Sequence, residues 1–270
     1  MERVITVFLK TAIIEREWIK LTEQIVYETE YNNTKIQVID NPRTRHLRFG
    51  NTVKQSSMLI DYPYALALKY IRTMVQGLVL NPNPKSILFL GLGAGSLVKY
   101  INKYFDIPRV DVVELLPDVV DISKKHFGLY ESDKINITID TAINYLKTNE
   151  SKYDTVFVDI FNASGMSEEG KTDEFYSLLS DSLNFDGWVV WNTWIRETTY
   201  DMQVSQWKKF FDVVFVRPPV PKSGNVVMFG GKNNPLKNEE LDIKIKDIQS
   251  RVPNMGLKKD IIFNKNFKEL

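Results

Sequence analysis

The chain has 270 residues, 43% hydrophobic and 12% aromatic, enough to bury a full core in one large domain with an appendage. With 35 Lys and Arg against 34 Asp and Glu the net charge is +1, so no global field draws the protein to nucleic acid or to an anionic membrane. The lack of cysteine removes disulfides, thiolate nucleophiles and zinc–thiolate sites together, and with His46 and His126 as the only histidines no metal is expected.

The first residues, Met1 to Lys10, hold an apolar patch too short and too charge-flanked for a signal peptide. No later run reaches transmembrane length, so the expected location is the cytoplasm. Between Ile25 and Val53 come short β-rich pieces, Val26–Tyr31, Lys35–Ile39 and His46–Phe49, separated by the turn signals Asn32-Asn33 and Asn41-Pro42. They predict a small antiparallel β domain over residues 1–60, with the remainder, 61–270, forming the main domain. From Tyr62 to Leu80, apolar residues recur at helical spacing through Ala65, Leu66, Leu68, Ile71 and Met74, until Asn81-Pro82-Asn83-Pro84 stops the pattern.

Strand-like runs near 86–91, 110–115, 135–140, 155–160 and 188–193 then alternate with helical patterns near 96–104, 118–127, 142–148, 172–183 and 198–210. Such alternation predicts an α/β fold, a parallel sheet covered on both faces. The last two apolar runs, Val213–Val216 and Val226–Phe229, are joined by a segment with no room for a crossover helix, so that pair is expected to be antiparallel. A polar helix is expected over Asn238–Ser250, and the Lys-rich tail after it reads as a solvated end.

The most informative stretch is Ile87-Leu88-Phe89-Leu90-Gly91-Leu92-Gly93-Ala94-Gly95-Ser96, followed by Val110-Asp111-Val112-Val113-Glu114. An apolar strand ending in a glycine-spaced turn, then a second strand ending in a lone carboxylate, builds a pocket for an adenosine ribose. Pyrophosphate sites want G-x-G-x-x-G, whereas Gly91, Gly93 and Gly95 give G-x-G-x-G, with Ser96 at the third-glycine position. The spacing suits adenosine without phosphates: S-adenosylmethionine (SAM) or decarboxylated SAM, with Glu114 accepting from both ribose hydroxyls. A NAD-dependent oxidoreductase is disfavoured on the same ground.

In open α/β sheets the ligand sits beyond the carboxyl ends of the strands, where this chain carries Glu114, Asp140, Asp159 and Asn192. Asp140 suits either an adenine amino group or the N-cap of the helix starting at Thr141. Asp159 ends a strand apolar enough to imply burial, and a carboxylate there suits a general base that orients and deprotonates an attacking amine; the structural alternative is bracing of the next loop. The polar, glycine-punctuated stretch 160–171 reads as a lid. Neither histidine reads as a catalyst: His46, flanked by Arg43, Arg45 and Arg48, suits surface or satisfied β-domain polarity, and His126 a helix C-terminus.

These residues resemble the spermidine synthase (polyamine aminopropyltransferase) family from about Val26 to Gly231. The resemblance is carried by Lys54-Gln55-Ser56-Ser57-Met58, the glycine loop, Glu114-Leu115-Leu116-Pro117-Asp118-Val119-Val120, Asp140, Tyr153 through Asp159, and Pro221-Lys222-Ser223-Gly224. It implies a methyltransferase-like Rossmann fold plus a small N-terminal β domain, a homodimer, nucleoside contacts from Gln55, Glu114 and Asp140, and Asp159 at the catalytic position. The departures fall on the acceptor side. Ala94 replaces an aspartate of the glycine loop, Ala65 and Leu66 stand for a Tyr-His pair, and Asn162, Asn192 and Val220 replace an aspartate, a glutamine and a tyrosine. The expected activity is transfer of an aminopropyl group from decarboxylated SAM, or a related group from SAM, to a small-molecule amine other than putrescine in its usual pose, with Ala94, Asn162 and Asn192 shaping the acceptor pocket. The alternatives are a SAM-dependent methyltransferase, which Phe89 disfavours because many such enzymes carry an acid there, and a non-catalytic nucleoside-binding paralogue.

Overall fold

The computed structural model describes residues 23–50, 53–162, 165–166, 169–194, 200–217, 224–232, 238–254 and 261–270. Strands β1 (Gln24–Tyr31), β2 (Thr34–Asn41), β3 (Thr44–Phe49) and β4 (Val53–Leu59) form a 4-stranded antiparallel sheet in that order. Asn32 and Asn33 close the first hairpin with φ of 46° and 60°, the left-handed pair that a tight two-residue turn needs. One face of this sheet is apolar: Ile36, Val38 and Leu47 cluster with Met58, Ala94, Val119, Ile122 and Phe127.

Helix α1 (Lys69–Met74) runs on as a 3-10 turn, Val75–Val79. The helical pattern expected from Tyr62 is therefore shorter than its apolar spacing, because Leu66 forms a bridge with Met58 of β4 and holds the segment before α1 extended. The main sheet is built from β5 (Ser86–Leu90), β6 (Arg109–Glu114), β7 (Ile135–Ile139), β8 (Tyr153–Val158), β11 (Leu183–Trp194), β12 (Val213–Arg217), β13 (Asn225–Gly231) and β14 (Lys268–Glu269). A small hairpin, β9 (Phe161–Asn162) with β10 (Gly165–Met166), follows β8. The spatial order is β14-β12-β13-β11-β8-β5-β6-β7. β11, β8, β5, β6 and β7 are parallel, whereas β13 lies antiparallel between β11 and β12.

Helices α2 (Ser96–Tyr104), α3 (Pro117–Phe127), α4 (Ala142–Thr148), α5 (Asp173–Asp181), α6 (Tyr200–Phe210) and α7 (Asn238–Arg251) complete the fold. Central strands read as continuous apolar runs because both faces are covered. Phe89, Phe157, Trp188 and Val190 serve one core, and Leu88, Leu90, Val156, Val189 and Trp191 serve the other, where they meet Phe175, Tyr176 and Trp207. Among the described residues no helix is long and apolar enough to cross a membrane.

Three local expectations are corrected. The tail is not a solvated end: Ile261 and Phe263 are buried, Phe267 packs edge-on against Phe229 with ring centroids 5.1 Å apart, and β14 pairs with β12. Its lysines hid this: Ile261 and Phe263 face inward, while Ile262 between them is exposed. Arg217 secures the tail, donating to Asn264 Oδ1 (2.6 Å) and to Gln76 Oε1 (3.2 Å) while stacking over Phe267. Secondly, the cations at the C-terminus of α3 are Arg45, which donates to the His126 carbonyl (2.7 Å), and Lys99, which donates to that of Phe127. Burial, then Arg45 and Lys125, push the His126 pKa down. Thirdly, the N-cap of α4 is Thr141, whose side chain accepts from Asn144 N, and not Asp140. His46 is buried, with Nε2 2.9 Å from Thr44 Oγ1.

Deleting residues 261–270 is expected to lower the melting temperature by roughly 5–15 °C, since each buried large apolar side chain contributes about 1.5–3 kcal/mol. Thermal unfolding followed by circular dichroism checks it; an unchanged transition would mean that the tail is not part of the core.

Candidate active site

The crevice lies where the parallel strands end, and backbone hydrogen bonds continue past them. Asp159 N donates to Leu90 O (2.9 Å), Gly91 N to Val113 O (2.9 Å) and Asp140 N to Glu114 O (3.1 Å). These links set Asp159, the glycine loop, Glu114 and Asp140 side by side along one edge. Gly91, Gly93 and Gly95 adopt φ of 93°, 53° and 70°. At Gly91 the backbone passes so close to its neighbour that a Cβ would stand 2.3 Å from the Asp159 carbonyl oxygen.

Glu114 braces this loop. Its Oε2 accepts from Leu92 N and its Oε1 from Leu116 N, each at 3.0 Å. Burial raises its pKa, and the surrounding backbone N–H groups oppose the rise. The backbone N–H groups of Gly93 and Leu115 also point to this carboxylate, so the loop and the strand end are gathered around it. The Asp140 carboxylate accepts from Thr141 N and from Asn144 Nδ2, both at 2.7 Å.

Asp159 is the electrostatic centre. Its Oδ1 accepts from Asn192 Nδ2 (2.8 Å) and its Oδ2 from the Tyr70 hydroxyl (3.1 Å). Burial pushes its pKa up to about 6, while the hydrogen bonds from Asn192 and Tyr70 hold it down. Tyr70 is pushed well above its ordinary value, first by burial and then by the Asp159 charge, so it stays a neutral donor. Asn192 is 2% exposed and in turn accepts from Asn225 Nδ2 at 3.0 Å. A small cavity opens beside Asp159, walled by Ser56, Met74, Phe89, Gly91 and Leu97.

The structure thus brings together Asp159, Asn192, the glycine loop and Glu114, with Asp140 next along the edge. Gln55 is near through its backbone, whose carbonyl oxygen lies 3.4 Å from the Tyr70 hydroxyl. Ala94 is fully buried in the apolar cluster under the N-terminal sheet, and neither it nor Asn192 lines this cavity. The Asn162 side chain and residues 218–223, which include Val220 and Pro221-Lys222-Ser223, lie outside the described residues. Ala65 and Leu66 are buried, and the side chain that this segment offers to Asp159 is Tyr70. Sequence reasoning missed Tyr70, Asn225 and Ser56, whose Oγ accepts from Ala94 N at 3.0 Å and ties β4 to the glycine loop.

The sequence pattern of the spermine/spermidine synthase domain matches residues 69–233, more than half of the chain. The chain belongs to the spermine/spermidine synthase family. It is 27% identical to a polyamine aminopropyltransferase of Chromobacterium violaceum over 202 residues, covering 74% of this chain and 77% of the relative. It is 29% identical to one of Vibrio vulnificus over 211 residues, covering 76% and 71%. At these identities it is a divergent member. Its fold is shared with a probable spermidine synthase from Corynebacterium glutamicum (TM-score 0.72, 19% identity, covering 91% and 90% of the two chains). It is also similar to human methyltransferase-like protein 13, solved with SAH (TM-score 0.63, 22% identity, covering 73% and 98%). Membership of the spermine/spermidine synthase family and the methyltransferase-like sheet were both expected from the glycine loop and the strand-end acids.

Proposed function

We propose that the protein is an aminopropyltransferase that uses decarboxylated SAM, with Asp159 as general base and Glu114 on the ribose. The observation that carries this is the setting of Asp159: a carboxylate with its pKa near 6, oriented through both oxygens, packed against the loop that faces the nucleoside side. In the reaction an acceptor amine attacks the carbon next to the sulfonium, the carbon–sulfur bond breaks onto sulfur, methylthioadenosine leaves, and the amine gives up one proton. Above pH 6 Asp159 is ionised and can take that proton, a contribution of about 100- to 10,000-fold. Holding both reactants in one crevice supplies much of the remainder.

Decarboxylated SAM is preferred to SAM because Asp159 in the cavity wall would repel a methionyl carboxylate. Phe89, 2% exposed and stacked on Phe157 with centroids 5.1 Å apart, stands where many methyltransferases carry an acid, which disfavours that alternative. The acceptor is a small amine. Incubation with decarboxylated SAM and a panel of amines, read by mass spectrometry, should show methylthioadenosine released together with an aminopropylated amine. Methylated products from SAM, or no product beside tight nucleoside binding, would replace this reading with one of its alternatives.

Tyr70→Phe provides a second check. Losing a donor to a charged acceptor is expected to raise the Asp159 pKa by roughly 1–2 units. The acid limb of the rate–pH profile should move upward by the same amount, with roughly tenfold less activity near pH 6; an unmoved limb would show that Asp159 does not govern it.

A further inference from the structure

Asn225 opens β13 and faces Trp194 across the β11–β13 ladder, two residues beyond Asn192, so Asn192 and Asn225 project from the same face of the sheet. Asn225 Nδ2 donates to Asn192 Oδ1 (3.0 Å), and Asn192 Nδ2 donates to Asp159 Oδ1 (2.8 Å). The direction of this chain is dictated from its acid end. An ionised carboxylate only accepts, so Asn192 must turn its amide nitrogen to Asp159 and its carbonyl to Asn225, which must then be a donor. Both amides are shielded, at 2% and 7% exposure, so a reversed amide would set acceptor against acceptor with no water to separate them.

We propose that Asn225 is a positioning residue for the transfer reaction: by holding the Asn192 carbonyl it keeps the Asn192 amide N–H on Asp159, and so keeps Asp159 in its proton-accepting form. The inference rests on Asp159 being the base. Asn225 acts through Asn192 and touches no reacting atom. Among the described residues, the Tyr70 hydroxyl of α1 bonds Asp159, Ser56 of β4 and Ser96 of α2 line the same cavity, and Glu114 of β6 accepts from Leu92 N in the glycine loop. None of these contacts involves Asn225.

The test is a carbon-13 NMR titration of the Asp159 carboxyl in the full-length protein, its signal assigned by loss in Asp159→Asn. In N225L, which has no donor of similar size, the midpoint should rise by roughly half a unit to one unit. N225T, which keeps a hydroxyl donor, should recover part of the shift. In a chain already carrying N192L, adding N225L should change nothing further, because the link it breaks is gone. N225A removes the donor without adding bulk and carries the same expectation should N225L fail to fold. An unmoved midpoint in N225L and N225A, or a shift equally large on the N192L background, overturns the proposal. Transfer assays separate it from the reading on which it rests. A shifted midpoint in a protein that turns over no amine would leave the relay intact and remove its role in transfer, whereas good turnover with an unmoved midpoint would remove the relay alone.

Discussion

Replacing Asp159 by Asn is expected to reduce aminopropyl transfer by about 100- to 10,000-fold while leaving the fold as stable as before, or more stable, at neutral pH. The first half follows from removing the proton acceptor. The second follows from its setting. Burial raises the carboxyl from 3.8 to about 6, so the folded state holds this proton more tightly than the unfolded chain does. The favourable contribution is complete below pH 3.8 and is lost as pH rises through 6, which leaves the ionised group as a burden at neutral pH. An amide carries no such burden. It keeps an oxygen for Asn192, and its nitrogen meets a Tyr70 hydroxyl that can accept as well as donate. Removing the charge should therefore stabilise the protein by on the order of 1–3 kcal/mol at neutral pH and by much less near pH 4. Product formation measured beside melting temperature at both pH values decides the matter. Full turnover in the variant would remove Asp159 from the chemistry, and a large loss of stability would give it the bracing role instead.

Gly91→Ala is expected to cost about 3–5 kcal/mol, lowering the melting temperature by roughly 10 °C or more, and to abolish nucleoside binding. The residue sits at φ 93°, and its new Cβ would lie 2.3 Å from the Asp159 carbonyl oxygen and 2.9 Å from the carbonyl carbon. Those are backbone atoms and cannot swing aside. Gly91 N is bonded to Val113 O and Asp159 N to Leu90 O, so relief must break the ladder on one side or the other. Either movement carries the base away from the loop that would hold its substrate. Thermal unfolding and calorimetry with decarboxylated SAM should show both effects; tight binding in a stable variant would contradict this account of the loop.

Much of the fold was legible because its central strands are covered on both faces and so read as uninterrupted apolar runs, as in Ile87–Leu90 and Val156–Val158. The strand-end acids were legible for the opposite reason, as charges closing apolar segments. What was not legible depends on partners remote in the chain. Tyr70 lies in an ordinary amphipathic helix, and its partner Asp159 is 89 residues away. The start of that helix was hidden because Leu66 keeps the helical spacing while bonding to a strand. Asn225 did leave a trace, a polar residue opening a run of buried apolar ones, but its meaning needs β13 to be inserted between β11 and β12. Thr141 took the cap expected of Asp140 because the helix begins one residue later, which frees Asp140 from that duty.

The docking of β14 has a consequence for folding. β14 seals the outer edge of the sheet, and Leu270 N donates to Val214 O, so residues 261–270 complete the edge strand and its apolar underside. Until they dock, β12 is left with a bare hydrogen-bonding edge beside uncovered Phe215 and Phe229, which invites pairing with another copy of the chain.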